Sequence, residues 1–360
     1  MQNRPMNPSS AFLQRLAVRL PIIQAPMAGV STPAMAAAVS MAGGLGSLGV
    51  GAVDADGARR MIDDVRRIHR GALNVNVFCH AAARADAEVE SRWIGRFRPV
   101  FAEFGAAPPT RLREIYRSFV DDPAMLSTLL DARPSVVSFH FGLPPDAAVR
   151  ALREAGIVTI ATATNLDEAR AIADAGIDAI VAQGWEAGGH RGVFDPEARD
   201  DRLGTVALTR LLVRHFDLPV IAAGGIMDGA GIVAMLRLGA AAVQLGTAFV
   251  GCDESAADGG YRAALGGDAA LHTAMTSVIS GRPARCLRNR FTQAGAAVDP
   301  RDLPAYPLAY DLGKALHAAA KSTGEYGFGA QWAGQGAPLS RPMPAARLMA
   351  VLEAEMAAVT

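Results

Sequence analysis

The chain has 360 residues, 51% hydrophobic and 19% charged, with 35 Lys and Arg balanced by 35 Asp and Glu. Such a composition supports a sizeable core in one large or two smaller units and excludes a disordered chain. Zero formal charge leaves no electrostatic footprint for nucleic acid or an anionic membrane surface.

No window approaches about 18 uninterrupted apolar residues, so no membrane span is expected. The run from Ala11 to Leu20 is broken by Arg15 and Arg19, which is unlike a secretory leader. Cys79, Cys252 and Cys286 are scattered without ligand spacing and read as buried thiols of a cytoplasmic protein. No His, Cys or carboxylate set has metal-ligand spacing, so no metal is expected.

In chain order, Pro21 to Met27 reads as a first strand. Ser31 to Ala42 follows as a helix, with Ser31 or Thr32 as its N-cap and Pro33 in its first turn. Leu45 to Val50 is the second strand, Asp54 to Arg70 a helix with a charged face, and Ala72 to Phe78 the third strand. Further strands are expected at Ser135 to Gly142, Val158 to Thr164, Ala179 to Gln183, Pro219 to Ala223 and Ala242 to Val250. Helices are expected at Ala147 to Ala155, Asn165 to Ala175, Val206 to Phe216 and Gly229 to Leu238.

Eight strand–helix units, apolar on both strand faces, predict an α/β fold: a (β/α)8 TIM barrel, favoured over an open parallel sheet. Two segments exceed a minimal barrel, residues 79–133 and 256–360. They are expected to pack together as a smaller helical lobe over a barrel made of residues 15–78 and 134–255.

Gly44-Leu-Gly46-Ser-Leu-Gly49 formally matches a dinucleotide fingerprint, but it ends a helix and enters a strand, the reverse of what that fingerprint requires. Gly224-Gly225-Ile226 and Gln244-Leu245-Gly246-Thr247 are better placed. Loops after strands seven and eight of a barrel often hold phosphate, where backbone N–H groups donate and Gly225 leaves room; the alternative is that these glycines only terminate strands. Gln24, Asn74, Asn76, His140, Gln183 and Gln244 interrupt otherwise apolar strands. Buried amides need partners. Several near strand C-termini suit a polar planar ligand, and a flavin ring with a phosphate tail fits both them and the glycines. Gln183-Gly184-Trp185-Glu186-Ala187-Gly188-Gly189-His190-Arg191-Gly192 places a titratable imidazole in a glycine-rich loop after a strand, as an active site would. His69, His80, His215, His272 and His317 lack partner spacing and read as surface residues.

The blocks QAPMAGVSTPAMAAAVSMAGGLGSLG (24–49), NVNVF (74–78), SFHFGLP (138–144), QGWEAGGHRGVF (183–194), PVIAAGGI (219–226), QLGTAF (244–249), YPLAYDLGKAL (306–316) and QWAGQGA (331–337) together resemble class I nitronate monooxygenases, also called 2-nitropropane dioxygenases. The likeness covers nearly everything after about residue 20 and is weakest at residues 81–133. It implies non-covalent FMN, held by Met27, Asn76, Gln183 and Gly188, with Gly225, Gln244, Leu245, Gly246 and Thr247 at the phosphate end. It implies His190 as the catalytic histidine, His140 as a second active-site histidine, and Tyr306, Tyr310, Lys314 and Trp332 around the substrate. The implied reaction is oxidative denitrification of an alkyl nitronate of the propionate 3-nitronate type by O2, to a carbonyl product and nitrite, by one-electron flavin chemistry without NAD(P)H. His190 would hydrogen-bond the nitro oxygens and take the α-proton of a neutral nitroalkane. The alternative on the same fold is an NAD(P)H-dependent FMN quinone or enoyl-thioester reductase. A monomer or homodimer, with no nucleic-acid or membrane partner, is expected.

Overall fold

The computed structural model describes residues 8–359. Eight parallel strands form its centre: β1 (Ile22–Gln24), β2 (Gly46–Gly49), β3 (Leu73–Phe78), β4 (Val136–His140), β5 (Val158–Ala163), β6 (Ala179–Gln183), β8 (Val220–Ala223) and β9 (Ala242–Leu245), with a two-residue strand β7 (Gly189–His190) outside the ring. The hydrogen-bonded order is β1-β9-β8-β6-β5-β4-β3-β2. A parallel bridge from Ile23 to Leu45 closes it, with Gln24 N donating to Leu45 O and Leu45 N to Ile22 O. The barrel is therefore complete, as the strand–helix count predicts.

The strands are shorter than the apolar runs suggest. The last one ends at Leu245, and Thr247–Val250 forms a short helix instead of continuing it. The helices run α1 (Pro8–Arg15), α2 (Pro33–Met41), α3 (Ala55–Ile68), α4 (Ala87–Glu103), α5 (Pro123–Ala132), α6 (Asp146–Glu154), α7 (Leu166–Asp174), α8 (Thr205–His215), α9 (Gly229–Arg237), α10 (Thr247–Val250), α11 (Gly259–Leu265), α12 (Arg290–Ala294), α13 (Leu308–Ser322) and α14 (Ala345–Ala358). Side-chain caps set several of their starts. Thr32 Oγ1 accepts from Met35 N at 3.1 Å, and Asp54 Oδ1 from Gly57 N at 2.8 Å.

Two helices from the segments outside the minimal barrel lie on it. α5 contributes Met125, Leu129 and Ala132 to the core that also holds Ile62 and Val65 of α3. α14 packs Leu348, Met349 and Leu352 against Met35 and Val39 of α2 and Ile232 of α9. α14 thus fills the eighth helix position, which no apolar run directly after β9 announces. Elsewhere in those segments, Trp93, Phe97 and Phe101 of α4 share a core with Leu308, Leu312 and Leu316 of α13 and with Phe291, while Tyr261, Leu265 and Ala333 pack with Val30 and Val250. A second sheet, β10 (Thr273–Thr276) with β11 (Ala284–Leu287), takes β7 as its third strand.

The Gly44–Gly49 stretch serves packing. A Cβ on Gly46 would stand 1.9 Å from Ala36 O, so this glycine lets α2 press against β2. The three cysteines are buried and unpaired. Among the described residues no helix is long and apolar enough to cross a membrane.

Side chains alternate across a strand, and that parity sets the site. In β6, Ala179 and Val181 face the barrel interior, Ile180 and Ala182 face the helices, and Gln183 faces inward at the top. The same count brings Asn76, Ser138, His140, Thr162 and Gln244 inward at their strands' C-terminal ends.

Candidate functional site

The inward layer lines one cavity at the C-terminal mouth of the barrel, enclosing about 1340 Å³ with its opening. Met27, Asn76, Gln183, Gly188, Gly225, Gln244, Gly246, Thr247, His140, His190, Tyr306, Tyr310 and Trp332 all line it. Leu245 does not. Parity turns it outward into the core with Val243 and Phe249. Lys314 does not line it either; its Nζ sits 4.9 Å from the centre of the Tyr116 ring and 5.6 Å from that of Tyr310.

His190 is held more firmly than a loop residue. β7 pairs antiparallel with β11, His190 opposite Ala284 and Gly189 opposite Arg285. A Cβ on Gly188 would stand 2.4 Å from Gly334 N, so Gly188 admits the backbone of the Trp332 loop. Arg191 is buried, pairs with Asp200 at 2.8 Å and donates to Gln183 O, tying the segment to the end of β6. Gln183 Nε2 donates to His190 O at 3.0 Å, and its Oε1 accepts from Gly192 N at 2.7 Å. Gln183 therefore fixes the histidine's backbone while lining the cavity.

His140 does related work. Its Nε2 stands 3.2 Å from His190 O and its Nδ1 3.2 Å from Thr162 Oγ1. A carbonyl only accepts, so Nε2 carries the proton and Nδ1 accepts from the threonine hydroxyl. Both ring nitrogens are committed within the protein. Burial first, and then the Arg282 and Arg191 charges, push the His140 pKa down to about 4 against its backbone hydrogen bond. Burial, His140 and Arg282 push His190 down to about 3. Both imidazoles are neutral near pH 7.

Aromatic rings enclose His190: Trp332 at 5.0 Å, Phe141 at 5.5 Å, Tyr306 at 5.6 Å and Tyr310 at 6.0 Å between centroids. Phe141 reaches its place through a left-handed backbone, φ 74°, a conformation that costs a bulky residue about 1–3 kcal/mol. The Arg282 guanidinium covers its other side, 4.4 Å from the ring centre. Trp332 packs beside Tyr310, 6.3 Å between ring centroids, and among the described residues the Tyr310 hydroxyl donates to no protein acceptor, so its proton is free. The Tyr306 hydroxyl is sealed and without a partner, so Tyr306 presents a ring edge to the site.

The sequence reading missed several participants. Phe78, Ser138 and Thr162 follow from strand parity once the register is known. Tyr116 comes from the stretch between α4 and α5, where no motif marks it. His80, expected at the surface, is 1% exposed and packs edge-on against Tyr306 at 5.0 Å, because the chain leaving β3 runs beneath that ring. Gln24 and Asn74 turn inward without reaching the cavity. Gln24 bonds Ser31 Oγ at 2.7 Å and Ser47 N at 2.8 Å, and Asn74 bonds Ser47 Oγ at 3.1 Å.

The cavity's free polar groups suit a flavin. Asn76 uses its Nδ2 on Ser138, and among the described residues its Oδ1 and the Gln244 carboxamide have no hydrogen-bond partner. Gly225 has φ 70°, a left-handed turn open to glycine. Its Cβ would meet Glu186 Cβ at 3.2 Å, so close packing as well as conformation favours glycine here. Thr247 Oγ1 accepts from Gly334 N at 3.0 Å and retains a proton to donate.

A closed parallel barrel with a polar cavity at its strand C-termini and a neutral, caged imidazole defines a TIM-barrel enzyme with its site at the barrel mouth. The nitronate monooxygenase family model matches residues 10–355. The chain is 60% identical to a nitronate monooxygenase of Paraburkholderia phytofirmans, over 96% of this chain and 94% of the relative. It is 54% identical to one of Pseudomonas aeruginosa, over 96% and 98%. Among solved structures it is similar to a nitroalkane oxidase from Streptomyces ansochromogenes, with TM-score 0.87, 40% identity and coverage of 96% and 98%. FabK from Thermotoga maritima is more distant, with TM-score 0.74, 28% identity and coverage of 97% and 96%. The chain belongs to the nitronate monooxygenase family, whose members are flavin-dependent oxidoreductases.

Proposed function

We propose that this protein is an FMN-dependent nitronate monooxygenase that converts alkyl nitronates of the propionate 3-nitronate type, with O2, to a carbonyl product and nitrite, without NAD(P)H. The observation that carries this reading is the neutral His190 imidazole, caged by aromatic rings at a cavity whose unused donors and acceptors fit a flavin. Asn76 and Gln244 would hold the ring's polar edge. Gly225, Gly246 and Thr247 would hold the phosphate, where the first N–H groups of α10 have no helical acceptor. Bound FMN supplies the electron acceptor and the route to O2.

The protein supplies position, dryness and proton handling. His190, being neutral, accepts the α-proton of a nitroalkane. The resulting imidazolium is offset by the nitronate anion formed beside it. Such a base typically contributes about 10²–10⁴-fold. Tyr310 donates its free proton to the substrate, and Lys314 sets a positive potential behind Tyr116 and Tyr310 that favours an anionic tail. The lobe built on α4 and α13 forms the substrate side.

The test is oxygen uptake by FMN-loaded protein with propionate 3-nitronate and no NAD(P)H, with nitrite assayed alongside. Uptake with nitrite release is expected. No uptake, with flavin reduced by NADH under anaerobic conditions, would instead assign a reductase.

A further inference from the structure

Ser280 is fully buried behind His190 and belongs to no motif that the sequence singles out. Its Oγ lies 2.8 Å from His190 Nε2, 3.2 Å from Arg282 O and 3.4 Å from Arg282 N. A serine hydroxyl has one proton and two acceptor lone pairs. Among the described residues, Arg282 O has no other donor, and buried carbonyls are rarely left unpaired. The serine proton therefore goes to Arg282 O. Both lone pairs accept, one from Arg282 N and one from the imidazole.

We propose that Ser280 is a positioning residue that holds His190 in its Nε2–H form and leaves Nδ1 as the basic atom facing the cavity. Among the described residues Nδ1 has no hydrogen-bond partner, and it is not one of the polar atoms sealed away from solvent. A neutral imidazole carries one proton, so fixing it on Nε2 bares Nδ1. The expected donation from His190 to nitro oxygens then requires the protonated ring.

The inference rests on His190 being the proton acceptor. In that step the substrate Cα–H bond breaks, the proton bonds to Nδ1, and the electron pair moves into the nitro group to give the nitronate. No electron leaves the substrate. The imidazolium keeps its Nε2–H on Ser280, and a hydrogen bond from a charged donor is stronger than one from a neutral donor. Ser280 thus stabilises the protonated ring more than the neutral one and assists proton removal.

Two readouts test this on the FMN-loaded enzyme. The first is the ring ¹H–¹⁵N correlation spectrum of ¹⁵N-histidine protein, with His190 assigned by its loss in His190→Asn. A protonated Nε2 and bare Nδ1 are expected, and a protonated Nδ1 in the unsubstituted enzyme would overturn the proposal without any serine variant. The second compares nitroethane with its preformed nitronate. Ser280→Ala should lose about 10-fold more kcat/KM on nitroethane than on the nitronate, and Ser280→Thr should recover most of it. Equal losses on both substrates would mark a merely structural serine. Failure of the base role itself is distinct: His190→Asn would then lose equally on both substrates while the ring spectrum still showed the Nε2–H form.

Discussion

His140 Nε2 and the main-chain oxygen of His190 stand 3.2 Å apart, and that oxygen also accepts from Gln183 Nε2 at 3.0 Å. Two strands, β4 and β6, thereby hold one peptide group, and the catalytic candidate hangs from it. His140 works through this grip, because neither of its nitrogens is left for a substrate. His140→Gln keeps an N–H donor near the same oxygen and should retain more activity than His140→Leu. The leucine variant should lose roughly 10²-fold in kcat, the scale for misplacing a reacting group by about 1 Å. Turnover normalised to bound flavin checks this, and equal losses would give the His140 ring a direct role.

The same two imidazoles make the fold acid-sensitive. Their folded-state pKa values are about 4 and about 3, below the unfolded value near 6.5. The unfolded chain binds more protons in between, so their stabilisation is complete above about pH 6.5 and is lost as pH falls toward 4 and 3. Each histidine adds up to about 1.4 kcal/mol per pH unit to the slope over that window. Urea unfolding of the holoenzyme at pH 7, 6 and 5 should show the fall, and His190→Asn should flatten it. Identical slopes in the two proteins would mean that His190 titrates normally in the folded state.

Much of this site is legible in the sequence because a barrel strand has a period of two and a fixed polarity. Asn76, His140, Gln183 and Gln244 are polar in apolar runs, and parity aims all four at one cavity. Leu245 shows the limit: a block match takes it along with its neighbours, although parity turns it away. β7 is invisible because two residues carry no alternation. Its identity as a strand depends on β11, more than 90 residues away in sequence. Tyr116, Ser280 and α14 were missed for the same reason. Each is placed by tertiary packing, with no local pattern to announce it.

Tyr306 offers a stability test with an unusual sign. Its hydroxyl is sealed and unpaired, and burial drives its pKa well above the usual tyrosine range. An unsatisfied buried group costs about 1–3 kcal/mol. Tyr306→Phe should therefore leave stability unchanged or raise it by roughly 1 kcal/mol, with little change in KM. A large rise in KM would show that the hydroxyl turns into the cavity when substrate binds.

Lys314 separates charge from contact. Its ammonium lies against the faces of Tyr116 and Tyr310, outside the cavity wall, and burial lowers its pKa despite Asp311. Ammonium–ring contacts contribute about 0.5–2 kcal/mol, and they hold the Tyr310 ring, whose hydroxyl would donate to the substrate. Lys314→Met should raise KM for propionate 3-nitronate by about tenfold, close to 1.4 kcal/mol. It should raise KM for ethyl nitronate, which lacks the carboxylate, far less. Added salt should narrow the gap in the unsubstituted enzyme, since part of the effect is a field acting across several ångströms. Equal increases for the two substrates would assign Lys314 to holding the tyrosine rings alone, and an unchanged KM for propionate 3-nitronate would remove it from the substrate side altogether.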